Sequence, residues 1–173
     1  MDKQTFWKLI DTARAEAGPD EVAARTSQLL AAFPETEIAA AQQVLWDLLA
    51  DSYRSPLWAA AYVINGGCSD DGFDHFRGWL LTQGEAAFTA ALADPDSLAD
   101  LPAVREAARK GFDLWDERAL TIAWTAYASA TGRELPADSF TIAYPPLDPA
   151  WDFDFGDTPQ TAARLPHLSA LFD

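Results

Sequence analysis

The strongest constraint on this chain is the spacing of its apolar residues, which recur every three or four positions in segments that end at glycine or proline. In the first such segment Phe6, Ile10 and Ala13 share one face. Asp2 precedes them as a capping residue, and Gly18 follows them. That spacing is the period of an α-helix, and a polar cap and a following glycine are its usual start and stop signals. The segment therefore predicts a helix that ends before Gly18.

Similar segments continue as far as Gly132, where a helix C-cap belongs. They predict helices at 19–32, from about 34, from 55 to 65, at 71–83, at 85–93, and at 103–131 with a break near Gly111. The only strand-like run, SFTIAY at 139–144, is too isolated to build a sheet. We therefore expect an all-α fold, mostly α-helical, with about six to eight helices in a single domain that spans residues 1–173.

The sequence changes character after Tyr144. The stretch PPLDPAWDFDFGDTPQ has four prolines, four aspartates, three aromatic residues and no basic residue, which does not suit a regular core element. An apolar run, ARLPHLSALF, follows it and favours burial over a mobile arm. We expect residues 1–144 to form a helical body and residues 145–173 to form an irregular, Pro- and Asp-rich, acidic-aromatic tail packed on that body.

The charge of the chain limits the partners that it can have. Twelve Lys and Arg stand against 27 Asp and Glu, which gives a net charge of −15. The electrostatic field of such a charge repels nucleic-acid phosphates and favours a basic protein partner or a cation. The alternative is that the charge does no more than keep the protein soluble. No apolar run reaches the roughly 20 residues of a membrane span, no secretory signal is visible, and the single cysteine fits a reducing compartment. We expect a soluble, cytoplasmic protein that contacts neither nucleic acid nor membrane.

The segment INGGCSDDGFDHFRGWLL, at 64–81, is the most polar helix start in the chain. A helix here places Phe73 and Phe76 on one face and Asp74 and Gly78 on the opposite, polar face. Ser69, Asp70 or Asp71 suits the N-cap, so much of the polarity has a structural explanation.

Reaction chemistry in this segment has weaker support. Asp71 and His75 with Cys68 or Asp70 match no common zinc or calcium pattern. Cys68 with His75 or His167 as its base is a weak candidate for a nucleophilic site. Gly66-Gly67 lacks the preceding strand of a nucleotide-binding loop. We therefore assign no catalytic residue, no metal ligand and no cofactor.

Gly78 is harder to explain by local structure. A glycine in mid-helix costs about 1 kcal/mol relative to alanine, and it usually permits the close approach of a backbone or a ligand. We therefore predict a binding surface that comprises Asn65, Gly66, Gly67, Ser69, Asp70, Asp71, Asp74, Arg77 and Gly78.

Two functions remain open. The leading interpretation is a non-catalytic protein-binding or regulatory module. The alternative is a small-ligand receptor or hydrolase-type enzyme with a pocket of Asp70, Asp71, Asp74 and Arg77. A concave pocket lined by those side chains favours the alternative, whereas a convex acidic surface favours the module.

Four stretches resemble a known bacterial family. They are FWKLID, LWAAAYVINGGCSDDGFDHFRGWLL, ALADPDSLADLP and ATGRELP, and they resemble the family called domain of unknown function 4240. The likeness extends from about Met1 to Leu168, and the stretch LWAAAYVINGGCSDDGFDHFRGWLL is its most specific part. Within that stretch the resemblance marks Asn65 to Arg77 as the hallmark of the family. The resemblance implies no activity, cofactor or partner.

Overall fold

Helices and the segments that join them make up the entire chain. The computed structural model describes residues 1–173 and contains no β-strand, which confirms the all-α prediction. The ten α-helices are α1 (Lys3–Glu16), α2 (Val22–Leu30), α3 (Glu35–Ser52), α4 (Ser55–Asn65), α5 (Asp70–Thr82), α6 (Glu85–Ala93), α7 (Pro102–Lys110), α8 (Ile122–Thr131), α9 (Thr158–Arg164) and α10 (Pro166–Phe172). Four short 3-10 helices lie at Pro19–Glu21, Pro95–Asp100, Glu117–Thr121 and Pro149–Trp151. The helices are thus more numerous than expected.

Local signals in the sequence define several helix ends. The Asp2 side chain caps α1 by accepting a hydrogen bond from the Thr5 backbone N–H at 2.7 Å. Gly66 and Gly132 end α4 and α8 with φ angles of 64° and 69°, a left-handed conformation that glycine adopts without strain. The range predicted for α6 is the observed one.

The region from Ala103 to Thr131 differs from its prediction. It is not two halves of a nearly continuous helix, because residues 112–116 form no regular secondary structure between α7 and the 3-10 helix Glu117–Thr121. Phe112 and Trp115, which lie within the range predicted as helix, are exposed. Long-range hydrogen bonds from Asn65 hold this stretch in place, and sequence periodicity carries no information about them.

The C-terminal segment is irregular only in part. Residues 158–172 form α9 and α10, so the expectation of an irregular segment is wrong there. Asp157 caps α9, and the buried Asp96 accepts the backbone N–H groups of His167 and Leu168 at 3.0 and 2.9 Å. These carboxylates stabilise two helices of seven residues each, which are too short to be stable alone. Leu168 is fully buried.

Residues 140–148, here called the arm, connect the helical region to this segment. The arm is extended and mostly exposed, and residues 140–147 make no backbone-to-backbone hydrogen bond. The Phe140 ring stacks on Trp46 with centroids 6.3 Å apart, and the Thr141 N–H donates to the Gln43 side chain at 2.7 Å. The strand-like sequence therefore lies on the surface without a pairing strand.

One apolar core of 39 buried residues joins the helices. On one side of it α2 packs on α1 and α8, and α8 also packs on α3. On the other side α10 packs on α4 and on the 3-10 helix Pro95–Asp100, while Glu117–Thr121 packs on α5. The start of α5 lies at the edge of this arrangement. None of the helices has the length and apolar character that crossing a membrane requires.

Candidate functional site

The loop between α4 and α5 sets the geometry of the predicted surface. Of the three residues suited to cap α5, Ser69 does so, and its Oγ accepts the Gly72 N–H at 3.2 Å. Asp70 and Asp71 occupy the first helical turn with their side chains exposed. Carboxylates at that end complement the helix dipole, and here they also point negative charge at solvent.

Asn65 joins this loop to a distant part of the chain. Its Oδ1 accepts the Leu114 backbone N–H at 2.9 Å, and its Nδ2 donates to the Leu114 carbonyl at 3.2 Å. A third bond, from the Asp116 N–H to the His75 carbonyl at 3.0 Å, fixes the same stretch along α5. Asn65 therefore acts as a clamp that lays residues 112–116 on the polar face of α5.

Gly78 is explained by that clamp. It is buried, and a Cβ atom built on it would lie 2.6 Å from the Asp116 carbonyl oxygen. The close approach predicted from the sequence is thus an approach of the chain's own backbone. Gly78, which periodicity placed on an outward polar face, is buried because Glu117–Thr121 packs on α5 there, with the Ala119 Cβ 3.3 Å from the same built atom.

Arg77 is an internal cation. Its side chain is fully buried, is paired with Asp74, and donates to the Leu49 carbonyl at the end of α3. Its guanidinium carbon lies 5.1 and 4.8 Å from the ring centroids of Tyr53 and Phe73. Burial lowers the pKa of Arg77 while Asp74 opposes that shift, and the guanidinium stays charged. The pair ties α5 to α3 and contributes no open site.

The arm closes over the same pair. The Tyr144 hydroxyl donates to Asp74 Oδ2 at 3.3 Å, and the Tyr144 ring meets Tyr53 edge-on at 5.0 Å between centroids. Burial, followed by the nearby Asp74 carboxylate, raises the pKa of Tyr144, so its hydroxyl stays protonated and able to donate. Asp70, Asp71, Asp74 and Arg77 line none of the five principal cavities. Arg77 is turned inward onto Asp74, whereas Asp70 and Asp71 are exposed.

A groove does open beside them at the start of α5. It has a cavity volume of about 390 Å³. We call it the Trp115 groove, and it is lined by Asn65, Gly67, Cys68, Ser69, Gly72, His75, Asp113 and Trp115. Of the nine predicted residues, Asn65, Gly67 and Ser69 line it, while Gly66 is exposed next to it. The structure thus divides the predicted set, because Asp74 and Arg77 form the internal pair and Gly78 lies beneath Glu117–Thr121. Asp70 and Asp71 are exposed and belong to neither the groove nor the pair.

The wall of the groove combines an aromatic ring with a carboxylate. Trp115 is 58% exposed, and its ring centroid lies 6.1 Å from that of His75. Asp113 is exposed on the same wall, and Phe112 next to it is 43% exposed. Sequence reasoning missed Phe112, Asp113 and Trp115 because it placed this stretch in a helix. The available signal was FDLWDE itself, where aromatic and acidic residues alternate after Gly111.

Cys68 is unsuited to nucleophilic chemistry. Burial raises the pKa of its thiol to about 11, so the reactive thiolate is scarce at neutral pH. The thiol contacts the Ser69 carbonyl at 3.7 Å. No three His, Cys, Asp or Glu side chains are grouped so as to hold a metal ion. The groove therefore offers the Trp115 ring and the Asp113 carboxylate as surfaces for contact.

Comparison with protein families matches residues 1–129 to the family described as protein of unknown function (DUF4240). The match includes the whole Trp115 groove and ends before the ATGRELP stretch, the arm and α9–α10. Neither the curated proteins nor the solved structures gave a significant match.

Proposed function

Because the chain belongs to the DUF4240 family, whose description carries no activity, we infer its function from its surface. We propose that the protein is a non-catalytic binding module whose Trp115 groove receives a basic segment of a protein partner. A regulatory or immunity-type role in a bacterial cytoplasm would suit such a module.

The observation that carries this proposal is the exposure of Trp115 beside carboxylates. An indole ring that is 58% exposed leaves a large apolar surface in water unless something covers it. Asp113 shares its groove, and Asp70 and Asp71 follow the groove residue Ser69. Lysine and arginine side chains bind over aromatic faces and pair with carboxylates, so a basic segment satisfies both features.

The charge of the whole molecule supports the same class of partner. At a net charge of −15, the protein attracts basic segments over a distance set by ionic strength, about 8 Å under physiological conditions. The same field opposes DNA and RNA. We therefore expect fast association that weakens as salt is added.

The probe for this proposal is a hexa-lysine peptide, with hexa-glutamate as the matched acidic peptide. Calorimetric titration at low and high ionic strength should show binding of the basic peptide only, weaker in high salt. Asp113→Asn and Trp115→Ala should each weaken it by about two- to fivefold, the size of an exposed cation–aromatic contact. Both side chains are exposed, so neither change removes a packed core group.

The matched controls are Asp138→Asn and Ile142→Ala, which alter an exposed carboxylate and an exposed apolar side chain far along the chain from the groove. Both should bind like the unaltered protein. A loss in Asp138→Asn equal to that in Asp113→Asn would mean that net charge alone attracts the peptide, and a loss in Ile142→Ala equal to that in Trp115→Ala would mean that any exposed apolar side chain serves. Either result would overturn the proposal for this groove. Binding that does not respond to salt would contradict the charge argument.

A further inference from the structure

We propose that the protein has a second recognition site, a groove that takes an arginine side chain of a basic partner. This groove lies between α4 and the residues that follow the arm, and its cavity volume is about 470 Å³. We call it the aromatic groove. It is separate from the Trp115 groove, and its test does not depend on that site.

Five aromatic rings line the groove. Trp58 and Tyr62 come from α4, and the other rings are Trp151, Phe153 and Phe155. The last three form a chain of contacts, with Trp151 stacked on Phe153 at 5.9 Å between centroids and Phe153 edge-on to Phe155 at 5.5 Å. Phe155 in turn meets Tyr62 edge-on at 6.2 Å. The rings hold one another in place, so the wall is formed before any ligand arrives.

The chain already seats a guanidinium on part of this wall. The guanidinium carbon of Arg164 lies 4.8 Å from the ring centroid of Trp151 and 4.8 Å from that of Phe153. Its Nη1 donates to the Ala150 carbonyl at 2.7 Å. Arg164 does not line the groove, whereas both rings do and are only partly buried. This internal contact shows that the geometry of the ring pair suits an arginine.

The charge of the groove selects for a cation. Asp148, Asp152 and Asp154 line it, and no Lys, Arg or His does. Asp148 and Asp154 each accept a backbone N–H of their own loop, at 2.9 Å in both cases. Asp152 is exposed and forms neither a side-chain hydrogen bond nor an ion pair within the chain. Asp152 is therefore the carboxylate free to pair with an incoming guanidinium.

Arginine fits these features better than lysine does. A guanidinium is flat, stacks on aromatic faces and presents paired N–H groups to a carboxylate, whereas an ammonium is a compact and strongly hydrated point charge. An anion would be repelled by the three carboxylates that line the groove. The groove's volume lies at the lower end of the range for ligand sites, which suits one side chain with part of its backbone.

The position of the groove connects it to the proposed interface. Cys68 lines both the aromatic groove and the Trp115 groove, so the loop between α4 and α5 separates the two. A basic segment that crosses this loop would reach both. Most of the aromatic groove's lining, from Leu147 to Phe155, lies beyond the residues matched to the family.

The test uses the full chain and the peptide acetyl-Gly-Arg-Gly-amide, with citrulline in place of arginine as the neutral isostere. NMR titration should show shifts of the Trp58 and Trp151 indole N–H signals with the arginine peptide and none with the citrulline peptide. Asp152→Asn should weaken binding by about three- to tenfold, while Asp138→Asn, which also alters an exposed carboxylate, should not. Binding is read from the Trp58 and Trp151 signals, and the Trp115 signal, which reports on the other groove, is followed separately.

Three results would overturn the inference. The first is equal binding of the arginine and citrulline peptides, because charge would then play no part. The second is an unchanged affinity in Asp152→Asn. The third is equal binding of the corresponding lysine peptide, which would make the groove a general cation site and remove the assignment to arginine.

Discussion

Replacing Gly78 with alanine sets two opposing effects against each other at one position. In a helix interior exposed to solvent the change should stabilise the fold by up to about 1 kcal/mol, since alanine is the better helix former. In this structure the added Cβ would lie 2.6 Å from the Asp116 carbonyl oxygen and 3.3 Å from the Ala119 Cβ. Ordinary contact begins at 3.4 Å, so the backbone at Asp116 must withdraw by about 0.8 Å.

That withdrawal disturbs the bond from the Asp116 N–H to the His75 carbonyl, now 3.0 Å long. Overpacking of a filled site costs roughly 1–3 kcal/mol, and a strained hydrogen bond adds to that cost, so the loss exceeds the helix-propensity gain. We expect Gly78→Ala to lower the free energy of unfolding by about 1–2 kcal/mol, measured by urea denaturation with circular dichroism.

The matched control is Gly72→Ala in the first turn of the same helix. Its Cβ would meet only side chains, the Ser69 Oγ at 3.3 Å and the Cys68 Sγ at 3.7 Å, so the capping hydroxyl needs to move by only about 0.1 Å and the cap is kept. We expect a change within about 0.5 kcal/mol for this variant. A Gly78→Ala protein that is more stable than the unaltered one would refute the claim that Glu117–Thr121 packs on this face of α5.

Two further substitutions and one alkylation experiment test other contacts. Asp96→Ala removes the buried carboxylate that caps α10, so the free energy of unfolding should fall by about 1–2 kcal/mol and the backbone amides of α10 should exchange with solvent faster. An unchanged exchange rate in α10 would contradict the capping role of Asp96. Asn65→Ala breaks both bonds to Leu114 and should cost about 1–3 kcal/mol in urea denaturation, whereas a loss below about 0.5 kcal/mol would show that other contacts hold 112–116. Burial raises the pKa of Cys68 from 9.0 to about 11, so the folded state favours the neutral thiol and loses stability as pH rises above about 9. Iodoacetamide should therefore alkylate Cys68 roughly 100-fold more slowly in the folded than in the unfolded chain at about pH 8. An alkylation rate of the folded protein that stops rising near pH 9 would be inconsistent with the raised pKa.

Local rules were sufficient wherever a helix end depends on its own neighbours. The cap at Asp2, the turn at Gly66 and the bounds of α6 follow from residues within a few positions of each other. The same rules failed at 112–116, where apolar spacing suggested a helix. At 112–116 helical hydrogen bonds compete with bonds to the Asn65 side chain. Asn65 binds both the N–H and the carbonyl of Leu114, and a helix would need these same backbone groups for its own hydrogen bonds.

The candidate site shows the same difference between what local sequence predicts and what long-range contacts determine. The sequence identified Gly78 as a point of close approach, but it did not show which segment approaches. Helical periodicity assigns a residue to a face, and whether that face meets solvent or another segment depends on contacts far along the chain. Arg77 illustrates this, since a residue predicted to belong to a binding surface is fully buried against the end of α3. The Trp115 groove was missed for the same reason.

The arm has a consequence for the docking of α9 and α10. Because residues 140–147 make no backbone-to-backbone hydrogen bond, the arm acts largely as a covalent tether. While it is continuous, α10 meets α4 at an effective concentration on the order of millimolar, and docking does not depend on how dilute the protein is. Once a protease cuts the arm, the same surfaces meet only by diffusion, and dilution favours their separation. Residues 149–173 thus behave as a tethered ligand of the helices that precede them, and the aromatic groove exists only while that ligand is bound.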